Sequence, residues 1–71
     1  MNADKPLSPF EEFKILSELI EEVQKILNFN EVDQGKVYQL LLKHDMNPKK
    51  VIAQIKGNLT FYRKNFKANY V

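Results

Sequence analysis

Seventy-one residues, 44 % of them hydrophobic, make one domain over residues 1–71, near the lower size at which an apolar core holds unaided. The absence of cysteine excludes disulfides and thiolate metal centres. Net charge is only +2, yet residues 1–42 carry four lysines against eight carboxylates, and residues 43–71 carry seven basic groups against Asp45 alone.

Residues 1–7 are polar or proline-bearing and are expected to be flexible, as are residues 68–71. The opening segment has no apolar stretch of the secretory kind, and no apolar run approaches the length of a membrane span. A cytoplasmic protein without membrane contact is therefore expected. A helix over 8–28 starts at Ser8-Pro9-Phe10-Glu11: the serine caps free amides, the proline occupies a position that needs none, and Glu11 completes a capping box. Phe13, Leu16, Ile20, Val23 and Leu27 follow at alternating steps of three and four. Ile15, Leu19 and Ile26 widen that stripe to about 160°. So wide a face needs two neighbours, or one neighbour and a second copy of the chain. Ile15, Leu19 and Ile26 are thus the candidate self-association residues of a two-fold homodimer.

Asn30 or Asp33 caps a second helix over 33–45, with Val37, Leu40 and Leu41 inward and Tyr38 and Leu42 at its margins. Glycine costs about 1 kcal/mol inside a helix, which places the start just after Gly35. Asn47-Pro48 then pairs a good cap with a natural first helical residue. Ile52, Ile55, Leu59, Tyr62 and Phe66 keep one helical register through Gly57, which predicts a continuous third helix over 47–67, about 30 Å long. The alternative is a break at Gly57, with Asn58 capping a short fourth helix. With no alternating strand pattern and no internal repeat, the expected fold is all-α, a small three-helix bundle.

At 100° per residue along one continuous helix, Lys49, Lys56, Arg63 and Lys67 share an edge and Lys50 and Lys64 lie further round, all within about 140°. The helix dipole favours cations in the last turns but not Lys49 and Lys50 in the first, so helix energetics leaves those two without a reason. The six are the candidate partner-binding residues. Charge divided between two halves of a chain suits oriented docking, which points to a small regulator or adaptor that binds an acidic protein. Nucleic acid is the alternative partner, because aligned cations displace counterions from phosphates and a helix-turn-helix reader would offer Asn58, Thr60 and Arg63.

The stretch VYQLLLKHDMNPKKVIAQI, residues 37–55, resembles the last two helices of ubiquitin-associated-like (UBA-like) domains. Val37, Tyr38, Leu40 and Leu41, the Asn-Pro start, and Val51, Ile52 and Ile55 carry the likeness. The resemblance implies a three-helix interaction module with ubiquitin contact around Asp45 to Lys50, although the Met-Gly-Phe-type loop of such domains has no counterpart here.

Catalytic chemistry has little material to work with. His44 is the only histidine and has Asp45 but no nucleophile beside it; Glu18, Glu21 and Glu22 lack a histidine or cysteine partner. Gly35 and Gly57 are the only glycines and form no phosphate loop. The chain therefore reads as a non-enzyme without catalytic residues, metal or cofactor. Ile15, Leu42, Phe61 and Tyr70 fall outside the main stripes and are expected at the surface.

Overall fold

The computed structural model of the chain describes residues 8–68, and over them it is all-helical. The helices are α1 (Pro9–Leu27), α2 (Gln34–Lys43), α3 (Pro48–Lys56) and α4 (Leu59–Asn65). Among the described residues the only extended pairing is an isolated antiparallel bridge between Val32 and Lys67. The expectations of flexibility for residues 1–7, and for 69–71, fall outside the described residues. Ala68 is half-buried.

Local chemistry sets most of the helix ends. Ser8 Oγ accepts from the Glu11 amide at 3.2 Å while Glu11 Oε1 accepts from the Ser8 amide at 3.1 Å, a reciprocal capping box. At the other end of α1, Asn28 adopts φ 60°, and the Phe29 and Asn28 amides donate back to Gln24 and Lys25 carbonyls at 3.0 and 3.3 Å. That pairing satisfies carbonyls the helix would otherwise leave open. A side chain at positive φ is a mild strain that glycine escapes. Asn28→Gly is accordingly expected to raise stability by about 0.5–1 kcal/mol, measurable as a higher urea midpoint. The α2 terminus repeats the device, with Asp45 at φ 56° and Met46 at φ 62°, and the Met46 amide donating to Leu41 O at 2.8 Å.

Asp33, not Asn30, caps α2, its Oδ1 accepting from the Lys36 amide at 3.2 Å. The helix begins ahead of Gly35 rather than after it, because the cap geometry outweighs the small propensity cost. Asn47 caps α3 by accepting from the Lys49 and Lys50 amides, at 3.1 and 3.3 Å.

The continuous third helix expected from the register does not form. The chain turns at Asn58, with φ −153° and ψ 65°, while Gly57 stays right-handed at φ −72°. The four-helix arrangement has a long-range cause. Once turned, α4 lays Tyr62 and Phe66 into the core, and its last carbonyls find donors near the start of α2. The Asp33 amide donates to Phe66 O and the Lys36 ammonium to Asn65 O, both at 2.8 Å. A straight rod of about 30 Å would carry those groups away from α2, which has 10 residues and spans about 15 Å.

The core gathers Leu19, Val23 and Leu27 from α1, Val32 from the first loop, and Val37, Leu40 and Leu41 from α2. Val51 and Ile55 of α3 and Tyr62 and Phe66 complete it. Ile15, Leu16, Ile20, Ile26 and Ile52 pack against its margin. Two residues assigned to the inner stripes lie outside it: Phe13 is 67 % exposed and Leu59 41 % exposed. Phe13 precedes the first buried residue of α1 by nearly two turns and lines an open hollow with Ile20 and Gln34 rather than the core; Leu59 begins the helix that has turned away.

Candidate docking surface

Turning the chain at Asn58 divides the proposed basic strip. Lys49, Lys50 and Lys56 stand on α3, Arg63 and Lys64 on α4, and Lys67 in the bridge to Val32. All six side chains are exposed. The single 140° edge drawn along one rod is replaced by two shorter sets of cations meeting at a corner. On α3 the outer face reads Lys49, Ala53, Lys56 at i, i+4, i+7, with Lys50 beside it, while Val51 and Ile55 point into the core. Leu59 and the half-exposed Phe61 fall in sequence between the α3 cations and Arg63, and Phe61 faces the α2 side of α4.

Half-buried polar groups fix that corner. Gln54 of α3 bonds His44 at the end of α2 through its Oε1 and donates from Nε2 to the Tyr62 hydroxyl of α4. One amide thereby ties three helices, and no buried side-chain nitrogen or oxygen among the described residues lacks a partner. His44 also closes α2, its amide donating to Leu40 and Leu41 carbonyls at 3.2 Å each. Tyr62 sits edge-on to both Phe61 and Phe66, with ring centroids 5.0 Å apart in each pair.

The self-association set is also redistributed. Leu19 is 1 % exposed, a central core residue, so it is not available to a second copy. Ile15 and Ile26 remain half-buried at the edge. Ile15 lines a shallow hollow between α1 and α3 together with Glu18, Glu22 and Lys49. Leu42 and Phe61 are exposed as expected; Tyr70 lies outside the described residues.

Among the described residues the two most exposed large apolar groups are Phe10, which sequence reasoning passed over, and Phe13, which it had placed inward; they are 73 and 67 % exposed. Another omission is a groove of about 550 Å³ between α2 and α4, with Lys36 and Lys43 on its α2 side and Leu40, Phe61, Tyr62 and Phe66 as its apolar walls. Lys36 and Lys43 are seven residues apart, one above the other on α2, the signal that could have marked a common edge. Among the described residues no three histidine, cysteine, aspartate or glutamate side chains converge as a metal site, and no helix is long and apolar enough to cross a membrane. Comparison with known proteins finds no matching family model, no matching curated protein and no matching solved structure.

Proposed function

We propose that the protein is a small non-enzymatic adaptor of the cytoplasm that docks an acidic protein segment on the outer surface of α3 and α4. The observation that carries this reading is the mixture along α4: exposed Leu59 and Phe61 on one short helix with exposed Arg63 and Lys64, directly after Lys56 of α3. Cations alone suit any polyanion. Cations around exposed apolar groups suit an amphipathic acidic peptide, which gains both charge complementarity and apolar burial.

The test is a titration of the isotope-labelled chain, followed by NMR, with a synthetic peptide of alternating glutamate and leucine clusters. Amide shifts are expected along α3 and α4, and the double variant Lys56→Glu/Arg63→Glu is expected to weaken binding at least about tenfold, or roughly 1.4 kcal/mol. A peptide that binds the variant as tightly as the wild type overturns the proposal.

A helix-turn-helix-like nucleic-acid reader is the second reading. It is favoured by the short turn from α2 to α3 and by Lys49, Lys50 and Lys56 on the outer face of α3. Duplex DNA would then bind with a log–log salt slope near −0.9 per phosphate neutralised, and more tightly than the peptide at physiological salt. Ubiquitin in the same titration tests the UBA-like reading, which requires shifts from Asp45 to Lys50.

A further inference from the structure

Among the described residues two parts of this chain are open and complementary to each other. The first is the start of α1. From Ser8 to Lys14 no residue is buried, so the capped opening turns stand clear of the core, presenting Phe10 and Phe13. Glu11 and Glu12 lie between the two rings, and Lys14 is the one cation of that segment. The second is the α2–α4 groove, apolar along Leu40, Phe61, Tyr62 and Phe66 and flanked by Lys36 and Lys43. An acidic element with two exposed aromatic rings and a groove with aromatic walls and two cations occur on one molecule.

We infer that two copies of the chain pair by reciprocal exchange, the opening turns of α1 from each copy seated in the α2–α4 groove of the other. Phe10 and Phe13 fill the apolar floor, and Glu12 approaches Lys43. Glu11 stays engaged with the Ser8 amide in the capping box, and the Lys36 ammonium stays on Asn65 O, so Glu12 and Lys43 are the charges free to meet. A two-fold arrangement covers both grooves and both helix ends at once and leaves neither open for a third copy.

An aromatic side chain offers about 150–250 Å², so four exchanged phenylalanines, 73 and 67 % exposed in each copy, contribute about 400–700 Å². Of the apolar groove walls only Phe61 is half-exposed; Leu40, Tyr62 and Phe66 are already buried and add little. The total falls below the roughly 1,200–2,000 Å² of stable interfaces, which makes the pairing a weak, transient one. This surface differs from the homodimer face read from Ile15, Leu19 and Ile26 and uses none of the outer cations of α3 and α4, while Phe61 belongs to both surfaces. A negative result here leaves the acidic-partner proposal untouched.

Sedimentation equilibrium of the full chain from micromolar to millimolar concentration tests the inference. A monomer–dimer equilibrium is expected, with Phe13→Ala and Lys43→Glu each weakening it at least about tenfold while circular dichroism shows unchanged helix content. Glu12→Lys alone should also impair pairing. Mixing equal amounts of Glu12→Lys and Lys43→Glu should restore a dimer, because each groove in the mixed pair then faces an opposite charge. A chain that stays monomeric throughout overturns the inference, as does a dimer indifferent to these substitutions, a mixture that fails to re-associate, or a mass that climbs past two copies.

Discussion

Leu19→Ala is expected to cost about 2–5 kcal/mol, the range for removing a fully buried leucine from a packed core. A chain of this length has a total stability of about 4–10 kcal/mol, so the variant should lose much of its margin and unfold at clearly lower urea. The size of the effect follows from position: Leu19 is 1 % exposed and sits one turn ahead of Val23, which with Leu27 forms the α1 side of the core. The experiment also separates two roles for the residue. Were Leu19 chiefly a contact to a second copy, its loss would matter more as protein concentration rises. As a core residue it should shift the urea midpoint by the same amount at micromolar and at hundred-micromolar protein. Ile15→Ala, at the half-buried margin, should cost only about 1 kcal/mol.

Leu19 also shows where reasoning from periodicity stops. The stripe of α1 was legible because residues at steps of three and four must share a face, but the pattern cannot say which part of a wide face meets the body and which overhangs it. Helix length decides that. α1 has 19 residues, whereas α2 and α3 have 10 and 9, so the opening turns of α1 outrun their neighbours and Phe13 stays in water despite its place in the stripe. Caps were legible for a different reason. Ser8, Asp33 and Asn47 act on amides two or three residues away, and that chemistry is written locally. The cations were legible as residues, since lysines and arginine in an otherwise acid-poor segment remain exposed in any helical arrangement. Their alignment was not, because it depended on the path of the chain beyond Gly57. The α2–α4 groove was hidden for the same reason: it exists only once α4 has turned to face Lys36 and Lys43.

The path beyond Gly57 is controlled from the far end of α4 rather than from the hinge. Phe66→Ala is therefore expected to be among the most damaging single changes, at about 3–5 kcal/mol. Phe66 is 6 % exposed, packs edge-on against Tyr62, and carries the carbonyl that receives the Asp33 amide. Losing the ring removes the burial that keeps that carbonyl, and the neighbouring Asn65 carbonyl, next to the start of α2. The hinge substitutions should be far milder. At Gly57 the backbone is ordinary right-handed helix, and an added Cβ would meet Gln54 O at 3.4 Å and Ala53 O at 3.5 Å, normal contact distances. Gly57→Ala should accordingly change stability by no more than about 0.5–1 kcal/mol and leave the turn in place. Asn58→Ala removes the bond from the Phe61 amide to Oδ1, a long one at 3.4 Å, and should cost about 1 kcal/mol. Urea unfolding ranks the three, and amide exchange locates the effect: in Phe66→Ala the amides of Arg63 to Phe66 should lose protection first. If Gly57→Ala proved as costly as Phe66→Ala, or gained protection from residue 57 through 60 as a merged rod would, the turn would belong to the hinge after all. The latch of Phe66, Asn65, Asp33 and Lys36 would then be a consequence of the bend rather than its cause.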